Sequence, residues 1–319
     1  MHRSISAVRT VSTWFQPGGH PVYLNMEKSS HGDLGSVEVH YRGISIEVYE
    51  DSLPSRGVRV SGNPDTTGRL VWECSALFLK WLSSDDNIAL LCSPQYDKVP
   101  QKITLENVGT ILDVSSGAGL VPLALSKAGA KCVLSWETAL QLPHLVSNTV
   151  GTRVIPQEYY WGTDPTSLLS QYRPISFSLC SDVLYIALRD GLARHLSLTL
   201  RSLTKHVEGA VLFGFEERLL REEQEFMDSL RLPLEMICGG EGEETSSTFF
   251  SSPAPPIVVV ELPVKETRLM QDEALLRKPR VLPVTEDDGS TGAASMADLF
   301  WEPPPIRLFL LYSQKEMAP

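Results

Sequence analysis

Two glycines that follow an apolar run are the residues of this chain best suited to hold a ligand. Ile111 to Val114 is apolar apart from Asp113, and a small-residue turn with Gly117 and Gly119 comes before Pro122. Glycine has no Cβ, so backbone can approach a ligand here, and the free N–H groups of a following helix point into the same space. Pro122 suits the first turn of such a helix. The segment predicts a strand, a ligand-binding turn and a helix, with Asp113 facing a cationic or hydroxyl-bearing ligand from the carboxyl end of the strand.

The spacing of the turn argues against a dinucleotide site. That fingerprint needs a glycine at the turn, a second two residues on and a third three residues later. Counting from Gly117 puts the third position at Pro122, and counting from Ser115 puts it at Leu120. Nicotinamide and flavin cofactors are therefore disfavoured. Taken alone, the segment is equally compatible with a turn that has only a structural role.

A second candidate group is the acid that ends the next apolar run, at Ser135-Trp136-Glu137. It lies at roughly the distance from the glycine turn at which α/β folds place an acid on a ribose hydroxyl. The carboxylate of Glu137 can accept two charge-assisted hydrogen bonds from a ribose diol. The alternative is an exposed acid at the start of a helix.

Composition narrows the class of protein. The 319 residues are 42% hydrophobic and 21% charged, as expected for one large α/β domain or two small ones. The net charge of −11, without clusters of lysine and arginine, argues against nucleic acid as a partner and favours a basic protein or peptide. No apolar run approaches the ~20 residues that span a bilayer, so we expect no membrane segment.

The cysteines and the N-terminal residues bear on metal binding and location. The 5 cysteines are odd in number and lack metal-ligand spacing, so we expect buried thiols, a reducing compartment and no metal site. A cytoplasmic monomer is the expectation. Arg3 and Arg9, with no acid before Glu27, leave a mitochondrial presequence as the alternative.

Hydrophobic periodicity indicates the elements that position these residues. Alternation over 36–61 predicts strands, and the helical spacing that starts at Val71 predicts a helix. Strands and helices then alternate as in a parallel sheet with right-handed crossovers. Strands are predicted at 110–114, 131–136, 154–156, 175–185, 210–215, 257–262 and 306–312, with helices near 119–128, 139–149, 165–172, 189–204 and 217–230.

Four separated segments together resemble the seven-strand, S-adenosylmethionine-dependent protein-lysine methyltransferases of the methyltransferase-16 family. Gly68 to Glu73 looks like the Gly-x-x-Val-Trp-Asp helix start of that family, and Leu112 to Val121 looks like its cofactor turn. Trp161-Gly162 looks like the Trp-Gly pair after its third strand, and Ser181 to Tyr185 looks like its Ala-Asp-x-x-Tyr motif. The segments occur in order at compatible spacing, and the resemblance runs from about Val37 to Tyr312.

The resemblance implies a Rossmann-like α/β fold, a seven-strand methyltransferase sheet with helices on both faces and an N-terminal β-rich extension. It implies S-adenosyl-L-methionine as cofactor, with Asp182 and Tyr185 as the catalytic residues that face the target lysine. Arg218 is expected to pair with neighbouring acids as a structural contact. The cofactor-binding residues implied are Trp72, Asp113, Ser115, Ser116, Gly117, Gly119, Glu137, Trp161 and Ser181.

Two departures from the family pattern affect the cofactor site. The family usually starts its turn with Gly where this chain has Ser115, so that residue must hold dihedrals that a Cβ tolerates. The position of the acid is also displaced. Counting forward along the strand gives Trp136, whereas counting back from Asn148 by the spacing of the family gives Glu137. A one-residue bulge would reconcile the two counts.

The predicted function is transfer of methyl groups to a lysine side chain of a protein substrate of the translation factor or chaperone class. Methylation of histidine on the same scaffold and a non-catalytic binding module with a decayed cofactor pocket are the alternatives.

The predicted domains are a flexible tail (1–35), a β-rich flap (36–67) and the methyltransferase domain (68–319), which contains a mobile acidic insert (265–300). Glu286, Asp287 and Asp288 in this insert are expected to attract a basic segment around the target lysine, and a solvated loop without that role is the alternative.

Overall fold

The computed structural model describes residues 23–27, 34–51, 71–94, 103–232, 257–263 and 305–313. No helix in these ranges is both long and apolar enough to cross a membrane. The strands are β1 (Tyr23–Glu27), β2 (Leu34–Tyr41), β3 (Ile44–Asp51), β4 (Thr110–Val114), β5 (Cys132–Glu137), β6 (Val154–Glu158), β7 (Ile175–Ser181), β8 (Val211–Glu216), β9 (Ile257–Glu261) and β10 (Ile306–Ser313). The helices are α1 (Glu73–Trp81), α2 (Asp85–Cys92), α3 (Leu120–Lys127), α4 (Leu142–Thr149), α5 (Thr166–Ser170), α6 (Leu184–Arg189), α7 (Ala193–His206) and α8 (Leu220–Arg231).

Seven strands form the main sheet in the order β6-β5-β4-β7-β8-β10-β9. The pairs from β6 to β8 are parallel, and β10 lies antiparallel between β8 and β9. The order reverses beside β4, whose neighbours are β5 on one side and β7 on the other. Open α/β sheets bind ligands outside the carboxyl ends of the strands at such a reversal. The predicted Rossmann-like seven-strand sheet is confirmed.

The two faces of the sheet are both covered, because successive residues of a strand point to opposite sides. Ile111 and Val133 join a buried cluster with apolar residues of α1, α2 and α3. Leu112 and Leu134 join a second cluster with residues of α6, α7 and α8. The predicted arrangement of helices on both faces is therefore confirmed, and it leaves the carboxyl ends of β4, β5 and β7 as a shared edge.

A small antiparallel sheet, β1-β2-β3, precedes the main sheet. The hydroxyl of Tyr41 donates a hydrogen bond of 2.9 Å to the carbonyl of Leu82, just after α1. β1 lies inside the segment predicted to be a tail (1–35), and it pairs with β2. Residues 1–22 and 28–33 of the tail, the flap after residue 51 and the insert 265–300 with Glu286, Asp287 and Asp288 lie outside the described residues. The division into domains stays a prediction.

The strand predicted over 175–185 is wrong at its carboxyl end. β7 stops at Ser181 and α6 begins at Leu184, so Tyr185 lies in the first turn of a helix. Asp182 breaks the strand, because its φ of 54° belongs to the left-handed region. The run from Val183 to Ala187 is apolar throughout, and periodicity alone does not separate a short buried strand from a short buried helix.

Candidate functional site

The glycine turn after β4 is closed by backbone hydrogen bonds. The N–H groups of Ser115 and Ser116 donate to the carbonyl of Trp136, over 2.9 and 3.1 Å. Gly119 has a φ of 87°, and a Cβ built there would lie 2.7 Å from a methyl carbon of Leu145. A side chain at this position would therefore strain the backbone and displace the methyl group of Leu145. The turn brings bare backbone to the N-terminus of α3, as its sequence predicts.

Ser115 occupies the position at which the resembling family has glycine, and its φ of 62° is left-handed. Its hydroxyl accepts a hydrogen bond of 2.9 Å from the indole N–H of Trp161. The side chain that makes this dihedral less favourable thus also ties Trp161 to the turn. The contact joins two of the predicted cofactor residues that are 46 positions apart in the sequence.

Glu137 reaches the same turn from β5 without a bulge. β5 pairs in regular register with β4, with Val114 opposite Trp136, so the proposed one-residue bulge is wrong. Oε1 of Glu137 accepts the N–H of Gly117 over 2.7 Å, and Oε2 accepts the N–H of Thr138 over 2.9 Å. A carboxylate has about four acceptor sites. Each oxygen of Glu137 therefore keeps a lone pair for a further donor.

Alternation along β5 explains why the acid, and not the indole before it, meets the turn. The hydroxyl of Ser135 donates to that of Ser116 over 2.6 Å, so Ser135 and Glu137 lie on one side of the strand. Trp136 points the other way and stacks on Tyr159 with ring centroids 4.1 Å apart. Trp136 is a core residue. Burial raises the pKa of Glu137 to about 7, although its two backbone hydrogen bonds oppose the shift.

Asn148 joins the turn to the small sheet. Its Nδ2 donates to the carbonyls of Ala118 over 2.8 Å and of Tyr49 over 2.9 Å, and its Oδ1 accepts the N–H of Tyr49 over 3.2 Å. In the sequence, Asn148 is only the reference position from which Glu137 is located. The contacts to β3 are long-range and have no local sequence signal.

Asp113 is buried beside the glycine turn, where it interacts with Ser116. Its residue exposure is 2%, and burial raises the pKa of its carboxyl to about 8. Asp113 alternates with Leu112 and Val114 along a strand whose residues are all buried, so its side chain is enclosed. The hydroxyl of Ser116 donates to the backbone carbonyl of Asp113 over 3.1 Å. The contact of Asp113 with a ligand stays a prediction.

The residues predicted to face the target lysine gather around Arg218, just after β8. Nη2 and Nη1 of Arg218 donate to the two carboxylate oxygens of Asp182, over 2.9 and 3.2 Å. The guanidinium carbon lies 5.5 Å from the ring centroid of Trp72 and 5.3 Å from that of Tyr185. Nη2 also donates to Glu216. The expected pairing of Arg218 with acids is confirmed, and the structure adds the two aromatic contacts.

Asp182 is held from two directions. Besides Arg218, the N–H of Glu216 donates to Oδ1 of Asp182 over 3.1 Å. Burial raises the pKa of Asp182 to about 6, and the charge and hydrogen bonds of Arg218 oppose that rise. Asp182 is therefore mostly ionised near neutral pH.

Both groups of residues lie at one edge of the sheet. β4 and β7 are parallel neighbours, and Val114 pairs with Cys180, so Ser115 and Ser181 follow at the same level. The glycine turn and the Arg218 cluster thus occupy the carboxyl ends of adjacent strands, at the reversal in strand order. Among the described residues, no group of three or more His, Cys, Asp or Glu is placed to hold a metal ion.

Comparisons with solved structures return methyltransferases and a related enzyme at low similarity. A precorrin 8W decarboxylase from Methanobacterium thermoautotrophicum is 15% identical, with a TM-score of 0.30 over 63% of this chain and 80% of that one. A glycopeptide N-methyltransferase bound to S-adenosylmethionine is 13% identical, with a TM-score of 0.31 over 64% of this chain and 81% of that one. An O-methyltransferase family 2 protein from Planctomyces limnophilus is 19% identical, with a TM-score of 0.29 over 41% and 39%. No curated protein matches the chain.

A family model described as lysine methyltransferase matches residues 60–232, more than half of the chain. The chain belongs to this family. Membership confirms the predicted enzyme class and S-adenosylmethionine as the methyl donor of that class, and it implies a protein substrate.

Proposed function

We propose that the protein transfers a methyl group from S-adenosylmethionine to a lysine side chain of a protein substrate of the translation factor or chaperone class. The observation that carries the proposal is the position of two predicted sets of residues at one sheet edge. The glycine turn with Glu137 forms one set, and Asp182 with Tyr185 forms the other. Parallel neighbours β4 and β7 bring them side by side.

The proposed cofactor site fits the chemistry of an adenosyl group. Glu137 keeps acceptor sites for the two ribose hydroxyls, beside the bare backbone of Gly117. Trp161, tied to Ser115, offers an apolar ring next to the same turn. We assign the same role of cofactor contact to Trp72, Asp113, Ser116, Gly119 and Ser181.

Methyl transfer from a sulfonium is an in-line displacement, in which the N–C bond forms as the S–C bond breaks. The task of the protein is alignment and exclusion of water. A lysine ammonium has a pKa of ~10.4 and no lone pair, so it must first give a proton to solvent water, and the neutral amine then attacks the methyl carbon. In our proposal the ionised Asp182 attracts the cationic side chain of the target lysine. The ring of Tyr185 packs beside that side chain and directs the amine toward the methyl group.

The test is methyl transfer to protein in a cell extract. Purified chain is incubated with tritiated S-adenosylmethionine and an extract from cells that lack the enzyme, and the labelled protein is identified by mass spectrometry. We expect a methylated lysine. A methylated histidine would replace our proposal by the histidine alternative. No labelling, together with no cofactor binding in calorimetry, would support a binding module with a decayed pocket.

Asp182→Asn tests the proposed lysine site separately from the proposed cofactor site. The amide keeps the shape but loses the charge, so we expect most turnover to disappear while cofactor affinity stays within a few-fold of wild type. Asp190→Asn is the matched control, because Asp190 is an exposed acid paired with Arg189 beyond the end of α6. Normal turnover in Asp182→Asn, or loss of its cofactor binding, would contradict the assigned role.

A further inference from the structure

We propose that Arg218 is a positioning residue that keeps Asp182 ionised and aligned for methyl transfer, a role that rests on the function proposed above. The starting observation is that one guanidinium contacts three residues predicted for this site. These are Asp182 after β7, Trp72 before α1 and Tyr185 in α6. Arg218 itself follows β8, so it joins three separate parts of the chain, since Asp182 and Tyr185 belong to one segment.

The geometry is that of a fixed group. Arg218 donates to both oxygens of Asp182, the two-point arrangement in which a planar guanidinium matches a carboxylate. The backbone is also held, because the N–H of Arg218 donates to the buried carboxylate of Glu223 over 3.0 Å. The guanidinium also lies over two aromatic rings, those of Trp72 and Tyr185. Side-chain exposure is 21% for Arg218 and 3% for Asp182, so water screens the pair little.

The charges explain why Asp182 depends on Arg218. Nη2 of Arg218 donates to both Asp182 and Glu216, so two acids share one permanent cation. Without that cation, the burial of Asp182 and the nearby charge of Glu216 both favour its protonated form. A protonated Asp182 would attract a lysine ammonium less strongly.

The groups that surround this pair come from three further elements. Glu216 ends β8, Tyr185 lies in α6, and Cys74 lies in α1. Burial raises the pKa of the Cys74 thiol well above its usual range, so this thiol stays neutral across the pH range of the test. The charge balance at Asp182 therefore depends on Arg218 and Glu216.

The first measurement follows the ionisation of Asp182 without any methyl acceptor. Protein labelled with ¹³C at the aspartate carboxyl carbon is titrated by NMR, and Asp182→Asn assigns the signal. In Arg218→Gln we expect the midpoint of Asp182 to rise by at least about one pH unit, and in Arg218→Lys by less. Arg307→Gln is the matched control, because Arg307 is buried to a similar degree as Arg218, pairs with an acid, Glu261, and also lies over an aromatic ring, that of Phe309. A midpoint in folded Arg218→Gln equal to that of wild type would overturn the proposal.

The second measurement is the pH profile of methyl transfer, with tritiated S-adenosylmethionine and the labelled protein identified above as probes. In Arg218→Gln we expect turnover near neutral pH to fall about tenfold or more, with partial recovery at higher pH, and in Arg218→Lys a smaller loss. An equal loss at every pH in both variants would mean a structural role only, and would overturn the proposal. If wild type methylates no lysine while the Asp182 midpoint still shifts, the proposed function fails and the ionic role of Arg218 stands.

Discussion

Glu137→Ala is the substitution that tests the cofactor site most directly. In the structure both oxygens of Glu137 accept backbone N–H groups, from Gly117 at 2.7 Å and from Thr138 at 2.9 Å. The remaining acceptor sites are those we assign to the ribose hydroxyls. Alanine removes these acceptors and opens space for water, which then solvates the two N–H groups. The loss should therefore appear in cofactor binding more than in folding.

The expected size follows from hydrogen bonds to a charged group, which contribute about 1.5–3 kcal/mol. We expect Glu137→Ala to weaken binding of S-adenosylmethionine by this amount, a factor of about 10 to 150 in Kd. Glu137→Gln should fall between alanine and wild type. Its amide nitrogen must replace one oxygen, and either placement sets it against the N–H of Gly117 or of Thr138.

Isothermal titration calorimetry at pH 8 is the assay, because wild-type Glu137, with a pKa of about 7, is then ionised. Glu158→Gln is the control, since Glu158 pairs with Glu137 in the register of β5 and β6 but is exposed. Thermal unfolding checks that each variant is folded. A Kd for folded Glu137→Ala within twofold of wild type would refute the assignment of Glu137 to the ribose.

The remaining predictions concern the protonation of Glu137 and Asp113, the hydrogen bond between Trp161 and Ser115, and the buried cation of Arg201. Cofactor binding near pH 7 should release a proton from Glu137, because hydrogen bonds from the ribose favour the ionised carboxylate. The calorimetric heat should then depend on the ionisation enthalpy of the buffer, and identical heats in all buffers would argue against the release. Folding raises the pKa of Asp113 from 3.8 to about 8. Between these values the folded state holds a proton that the unfolded state has lost, so the melting temperature should fall as pH rises from about 5 to 8. Asp113→Asn should make that slope shallower, and an unchanged slope would show that another group causes it. Ser115→Ala keeps the left-handed Cβ but removes the acceptor of Trp161, so the free energy of unfolding should drop by about 1 kcal/mol in denaturant titration, and a more stable variant would contradict this reasoning. Arg201→Met should lower the free energy of unfolding by about 3 kcal/mol or more, because Arg201 donates to three backbone carbonyls at the end of α8. A loss below about 1 kcal/mol would show that water replaces the guanidinium as the donor to these carbonyls.

Local sequence patterns determined the parts of this protein that depend on near neighbours along the chain. Glycine spacing located the turn at Gly117 and Gly119, where the backbone takes positive φ. Apolar segments that alternate with helical segments indicated the seven strands of the sheet, and the order of the motifs indicated the family. These features are readable because a turn, a strand or a helix start is set by residues a few positions apart.

Only the tertiary structure decided which side chains meet. Arg218 and Asp182 are 36 positions apart, and no local pattern distinguishes an arginine that reaches a neighbouring strand end from one that pairs with a nearby acid. The end of β7 was missed because the left-handed φ of Asp182 interrupts an otherwise apolar run. The burial of Asp113 has no local sequence signal either, because it depends on the strands and helices that pack around β4. Burial and long-range pairing arise from contacts across the fold, so the sequence supplies the candidate groups and the packing determines their partners and their charge.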